Sequence, residues 1–133
     1  MASIRREMML RATQDAVWAA VRDIGQIHKR LCPGFVANVT LEPGARLVTF
    51  GNGMVVREVI VELDDESRRL VWSARSERLT HHNASMQIFD EGPGQCRAVW
   101  IADLLPNDAA VPVAAMIEAG MAAMKSALEA PHA

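Results

Sequence analysis

The feature that most constrains the fold is an amphipathic segment near the carboxyl end, residues 111–130, with the sequence VPVAAMIEAGMAAMKSALEA. Its apolar side chains recur at steps of three and four residues, which places them on one side of an α-helix. They are Val113, Ile117, Gly120, Met121, Met124 and Leu128. From residue 113 to 128 such a helix is about 24 Å long. Because no other segment favours a helix of this length, we expect its partner to be a sheet.

The flanking residues predict where this helix begins and ends. Asn107 or Asp108 is placed to cap the first turn by accepting a free backbone N–H. Pro112 is tolerated in that turn because N–H groups there have no partner within the helix. Pro131 marks the end of the helix.

The apolar side of this helix is unusually adaptable. It carries Met116, Met121 and Met124, and methionine repacks easily around irregular surfaces. Gly120 leaves a gap where another residue would place a side chain. The pattern fits two structures, an ordinary core helix and a helix that roofs a cavity.

Before this helix, the chain alternates between short apolar segments and turn residues. The pattern predicts a strand at 3–11, helices at 13–24 and 26–31, and strands at 35–42, 46–50, 54–63, 70–75, 80–90 and 96–105. Thr13 is a plausible cap for the first helix. Short turns between successive strands imply an antiparallel meander. We therefore predict an α+β fold in one domain, 1–133, whose seven-stranded curved antiparallel sheet wraps around the long C-terminal helix.

Composition excludes several classes of protein. A chain of 133 residues, half of them hydrophobic, suits one domain with a sizeable core. A net charge of −2 and scattered arginines argue against a nucleic-acid partner. No apolar run approaches membrane-spanning length, so we expect no membrane insertion, and the first residues lack the apolar core of a signal peptide. We expect a cytoplasmic protein in which Cys32 and Cys96 are free thiols.

Three stretches carry a resemblance to a known family. They are AVWAAVRDIGQIHKRLCPGF (16–35), VVREVIVELDDESRRLVWS (55–73) and CRAVWIADLLP (96–106). Together with the order of elements, they resemble the START-like (SRPBCC) helix-grip superfamily, most closely its polyketide cyclase/dehydrase branch. The resemblance implies a hydrophobic cavity, in a family whose members bind lipids, hormones or polyketides and only sometimes catalyse reactions. Because these stretches are packing and turn residues, they mark the fold more than the chemistry.

Metal and cofactor sites are not indicated. His81 and His82 are adjacent on a predicted strand, so their side chains point to opposite faces and cannot chelate one metal together. The chain has no cysteine or histidine pairs at metal-binding spacing and no glycine-rich phosphate loop. Gly51-Asn52-Gly53 is better interpreted as a hairpin turn.

Glu58 is the main candidate for acid–base chemistry, since it lies between Val56 and Ile60 in an apolar strand. If it points into a cavity, it could orient a polar ligand or act as a general acid or base with a pKa raised by burial. Alternatively, it lies on the outer face or pairs with an arginine such as Arg75. His81 is the second catalytic candidate.

The register between the last two strands decides which side chains line the cavity. With an even loop, residues 91–94, Trp100 pairs with Ser85; with an odd loop, it pairs with Ala84. The family resemblance favours the even loop, which we adopt. The sheet side of the cavity is then lined by Glu58, Trp72, His81, Asn83, Ser85, Gln87, Phe89 and Trp100, and the helix side by Met116, Gly120, Met121 and Met124.

The leading functional hypothesis is binding of a small, largely hydrophobic, aromatic or polyketide-like molecule between the sheet and the last helix. The alternative is a cyclase/aromatase- or hydratase-type enzyme, and a third class is an interaction module with a closed cavity. The even loop also turns Ala84, Met86, Ile88, Val99 and Ile101 outward. An exposed patch of this kind predicts a homodimer.

Overall fold

The computed structural model describes residues 1–129 and contains every predicted strand and helix. The strands are β1 (Ala2–Leu10), β2 (Val36–Glu42), β3 (Ala45–Phe50), β4 (Val55–Asp64), β5 (Arg69–Arg75), β6 (His81–Asp90) and β7 (Cys96–Leu105). The helices are α1 (Gln14–Arg22), α2 (Ile27–Arg30) and α3 (Ala110–Leu128). Pro131 lies outside the described residues, so its predicted role as a helix stop stays a prediction.

The strands form one seven-stranded antiparallel sheet in the order β1-β7-β6-β5-β4-β3-β2. Six of the strands follow one another as a meander, whereas β1 lies at the far edge beside β7. The two short helices after β1 carry the chain across to β2 at the opposite edge. The predicted α+β helix-grip fold is confirmed.

Helix α3 packs its predicted apolar side against the sheet. Ile117, Gly120, Met121 and Met124 are buried, whereas Val113 and Leu128 are half-buried. Two polar contacts fix the helix to β1. Arg6 Nε lies 3.1 Å from Glu118 Oε1, and the Lys125 ammonium donates to the Met9 carbonyl. The helix is therefore anchored at both its middle and its end.

Two expectations about this segment are wrong. Neither Asn107 nor Asp108 caps α3 through its side chain, because a turn of 3-10 helix at Asn107–Ala109 leads directly into it. Thr13 does cap α1, accepting from the Ala16 N–H at 3.1 Å. The second expectation, that no apolar run approaches membrane-spanning length, is wrong because Asn107–Leu128 is long and apolar enough, by length and composition alone, to cross a membrane.

One end of the sheet is closed by α1. Asp65, in the turn between β4 and β5, accepts from Trp18 Nε1 at 2.8 Å and from Arg22 Nε at 2.7 Å. The hydrogen bonds from Arg22 and then Trp18 lower the pKa of the Asp65 carboxyl. Trp18 itself is buried in the core.

The register between β6 and β7 differs from the prediction. Asp90 pairs with Cys96, so the loop has five residues, 91–95, and Trp100 lies opposite Met86. Gly92 and Gly94 both adopt positive φ, which only glycine does readily, and they allow this longer loop. The even loop is therefore wrong. The odd-loop alternative predicts correctly which side chains of β6 face inward, although it pairs Trp100 with Ala84 and not with Met86.

The corrected register removes the predicted dimer patch. Ala84, Met86 and Ile88 are at most 3 % exposed and belong to the core under α3. Only Val99 and Ile101 lie on the outer face, where Val99 is covered by neighbouring side chains and Ile101 is half-buried. The homodimer stays a prediction without the surface on which it was based.

Substitution of adjacent residues in β6 tests this register. Met86→Asp should destabilise the fold by at least about 4 kcal/mol, because it places an unpaired charge in the core. Gln87→Asp, on the outer face, should change the free energy of unfolding by less than about 1 kcal/mol. Urea unfolding followed by circular dichroism measures both. Equal tolerance of the two substitutions would contradict the register.

Candidate functional site

A cavity of about 390 Å³ lies between the sheet and α3. Its exposed lining residues are Asn52 in the β3–β4 turn, Arg78 in the β5–β6 loop and Pro112 at the start of α3. These segments lie at the same end of the strands, after β3, β5 and β7, and this end is therefore the mouth. A depression of about 220 Å³ beside Gly51 shares Asn52 and Met116 with the cavity. The mouth thus opens near the Gly51-Asn52-Gly53 turn, which the sequence predicted as a hairpin turn.

Most of the cavity surface is apolar and partly aromatic. Trp72 and Trp100 meet edge to face with ring centroids 5.9 Å apart, and Phe35 and Phe50 meet similarly at 5.4 Å. Gly120 lets α3 approach these rings, since a Cβ there would lie 3.0 Å from both Phe35 and Trp100. The small side chains of Ala74 and Ala102 leave the space open below the helix. Such a surface suits a flat apolar ligand.

A buried ion pair interrupts this apolar surface. Arg46 Nε donates to Glu58 Oε1 at 2.8 Å, and the two side chains are only 5 % and 10 % exposed. The Arg46 guanidinium also lies 5.8 Å from the Trp72 ring centroid and donates to the Ile24 carbonyl at 3.3 Å. Both residues line the cavity. Glu58 therefore points inward and also pairs with an arginine, which is Arg46 and not Arg75, the example given for the alternative.

His82 supplies a second polar group to the cavity wall. Its Nδ1 accepts from the Ala74 backbone N–H at 2.9 Å, so this nitrogen carries no proton. Burial, reinforced by neighbouring His81, lowers the pKa of His82 to about 4, against a partial upward effect of Asp103. At neutral pH the ring is therefore uncharged, with its proton on Nε2.

The remaining titratable lining group inside the cavity is the Cys32 thiol. Burial raises its pKa to about 12, partly countered by Arg46, so it is protonated and poorly nucleophilic. Within residues 1–129, no three His, Cys, Asp or Glu side chains are grouped so as to hold a metal ion. The charged and imidazole groups buried in the cavity wall are accordingly Arg46, Glu58 and His82, and the lining also contains the polar side chains of Asn52, Ser76 and Arg78.

The predicted site residues fall into three groups. Glu58, Trp72, Trp100, Met116 and Met124 line the cavity. Gly120 contacts two lining rings, and Met121 is packed in the core. His81, Asn83, Ser85, Gln87 and Phe89 lie on the outer face, because the five-residue loop reverses the predicted facing of β6. His81 is thus not a catalytic candidate within the cavity.

Three residues of the cavity wall, Cys32, His82 and Arg46, were not predicted, and the sequence carries a signal for the last two. His82 alternates along its strand with the apolar residues Ala84, Met86 and Ile88, and this alternation alone favours an inward His82. Arg46 shares a strand face with Val48 and Phe50, a position that indicated burial. No pattern pointed to Cys32, which enters the cavity from the loop after α2.

Nearly the whole chain matches a protein-family model. The family model described as polyketide cyclase/dehydrase and lipid transport matches residues 1–130. None of the curated proteins compared with this chain matches it. The family resemblance predicted from residues 16–35, 55–73 and 96–106 is confirmed.

Solved structures share the fold. A solution structure from Thermobifida fusca has a TM-score of 0.79 and 28% identity, over 97% of this chain and 91% of that one. Norcoclaurine synthase from Thalictrum flavum has a TM-score of 0.72 and 15% identity, over 98% and 95%. The di-domain ARO/CYC BexL has a TM-score of 0.80 and 15% identity, over 97% of this chain and 47% of that one. Identities of 15% show a common fold alone.

The state of His82 predicts how stability depends on pH. The unfolded chain protonates this residue near its ordinary pKa of 6.5, whereas the folded protein does so only near 4. The contribution of His82 to the free energy of unfolding is therefore fully present above pH 6.5. It is lost as the pH drops toward 4, which lowers the free energy of unfolding by about 3 kcal/mol. His82→Asn, which keeps an acceptor for the Ala74 N–H, should remove this part of the pH dependence of the free energy of unfolding.

Urea unfolding between pH 7 and pH 4 measures the effect. His81→Asn is the matched control, because His81 is exposed on the adjacent position of the strand. It should retain most of the slope. Parallel stability curves for the parent and His82→Asn would show that His82 is not held uncharged by the fold.

Proposed function

Because this chain belongs to the polyketide cyclase/dehydrase and lipid transport family, we propose that it binds a small, largely hydrophobic molecule between the sheet and α3. The observation that carries the proposal is the cavity itself. Its volume of about 390 Å³ falls within the range of small-molecule sites, roughly 300–1,000 Å³. The aromatic lining favours a ligand with a flat ring system.

Binding fits the polar groups better than catalysis does. An enzyme of the cyclase or hydratase type needs convergent groups that give and take protons at the reacting atoms. Glu58 is the one carboxylate among the lining residues, and it is paired with Arg46. His82 already uses Nδ1 to accept from Ala74, so it can donate a hydrogen bond but cannot act as a base.

A catalytic role remains the alternative, and Glu58 is the residue that favours it. Among the described residues only Arg46 bonds its carboxylate, through Oε1, which leaves Oε2 to face a ligand. Norcoclaurine synthase, named for a synthetic reaction, shares this fold. Turnover that disappears in Glu58→Gln, with ligand binding retained, would favour this alternative.

The proposed setting is the cytoplasm. Cys32 and Cys96 are both buried and unbridged, as expected of thiols in a reducing compartment. The anchoring of α3 to β1 through Glu118 and Lys125 supports a core helix rather than a membrane-inserted one.

Filling the cavity tests the proposed function. Ala74→Phe directs a ring into the empty space and should reduce binding of N-phenylnaphthylamine, a fluorescent apolar probe, by at least about tenfold. Arg75→Phe adds the same ring at the next position on the exposed outer face and should leave binding unchanged. Quenching of tryptophan emission reports binding, because Trp72 and Trp100 lie in the cavity wall.

Circular dichroism and thermal unfolding should show both variants folded. Absence of saturable binding by the parent, or equal binding by the parent and Ala74→Phe, would contradict ligand binding in this cavity.

A further inference from the structure

The polar groups of the cavity lie in one line across the sheet. Arg46 is opposite Glu58, and Glu58 is opposite Ala74. The Ala74 N–H bonds to the His82 ring, which continues the line onto β6. We call Arg46, Glu58, Ala74 and His82 the polar row. Since adjacent strands are about 4.8 Å apart, β4 and β6 are separated by about 10 Å, with only the methyl group of Ala74 between them.

Each end of the polar row offers one kind of hydrogen bond. Glu58 Oε1 is used by Arg46, and no described residue bonds Oε2, which is therefore an acceptor for a ligand. At the other end, His82 Nδ1 is used by Ala74, so Nε2–H is a donor that no described residue accepts. The row thus presents an acceptor and a donor on either side of an open space.

The polar row has no net charge. The Arg46 guanidinium is matched by the Glu58 carboxylate, and burial keeps His82 uncharged. Arg78, the other cation in the lining, is exposed at the mouth, where solvent and salt weaken its field. A carboxylate on the ligand would lose its hydration without meeting an unmatched cation in the row. The row therefore discriminates against anions.

We infer that the polar row selects an uncharged ligand that carries a hydroxyl group for Glu58 and a carbonyl group for His82, about one ring apart. This inference rests on the proposed function and specifies the ligand for the same cavity. The row lies two residues nearer the mouth along β5 than Trp72. The ligand thus carries its polar groups at mid-depth, and an apolar part reaches inward to Trp72 and Met86.

A matched set of diaryl probes tests the inference. Para-hydroxybenzophenone has both polar groups, benzophenone lacks the hydroxyl, and para-benzylphenol lacks the carbonyl. Para-benzoylbenzoate replaces the hydroxyl with a carboxylate. For the parent, we expect para-hydroxybenzophenone to bind about tenfold more tightly than each of the other three, as measured by tryptophan quenching or calorimetry.

Two variants assign the hydrogen bonds. Glu58→Gln should remove the advantage of the hydroxyl and, by leaving Arg46 unmatched, should strengthen binding of para-benzoylbenzoate about tenfold. His82→Asn keeps the acceptor for Ala74 but lacks the Nε2–H donor, so it should remove the advantage of the carbonyl only. Glu62→Gln and His81→Asn are exposed controls on the same strands and should behave like the parent.

The outcomes separate this inference from the proposed function. If all four probes bind the parent equally, or if para-benzoylbenzoate binds it best, the polar row does not select as inferred, although the cavity still binds ligands. The inference also fails if both variants still bind para-hydroxybenzophenone more tightly than benzophenone and para-benzylphenol, as the parent does. Should Glu58→Gln not fold, His82→Asn decides alone. If neither these probes nor N-phenylnaphthylamine bind the parent, the proposed function fails with it.

Discussion

The packing of α3 against the inner face of the sheet is the contact on which the rest of this structure depends. The C-terminal half of the helix approaches the sheet closely, because Gly120 lets it contact the rings of Phe35 and Trp100, and Met121 and Met124 are buried, although Met124 also lines the cavity. The N-terminal half stands over the cavity, with Met116 half-buried above the opening. One amphipathic helix therefore both completes the core and roofs the cavity.

The buried pair of Arg46 and Glu58 is the feature that an ordinary core would not contain. Removing two charges from water costs several kcal/mol each, and their mutual attraction seldom exceeds that cost by much. Part of its role is structural, since Arg46 also bonds the Ile24 carbonyl in the loop that follows α1. The position of both groups on the cavity wall, in line with His82, supports a second role in contacting a ligand.

Sequence patterns predicted the fold almost completely but only part of the site. Helical spacing in residues 111–130 and alternation in the strands reflect burial directly, so element bounds differ by no more than one residue in the strands. Which side chains of β6 face the cavity depends on the length of the loop between β6 and β7. The positive φ angles of Gly92 and Gly94 allow that loop to have five residues. The pairing of Arg46 with Glu58 joins two strands, and a single sequence carries no signal for such a contact beyond the burial of each strand face.

Native mass spectrometry of the purified protein tests the central claim, that the cavity holds a small molecule, most directly. The account predicts a species heavier than the chain by one small organic molecule, either carried through purification or taken up from added N-phenylnaphthylamine. Denaturation should release this molecule, and Ala74→Phe should not carry it. A spectrum that shows the bare chain alone, even when a large excess of the apolar probe is added, would contradict the account.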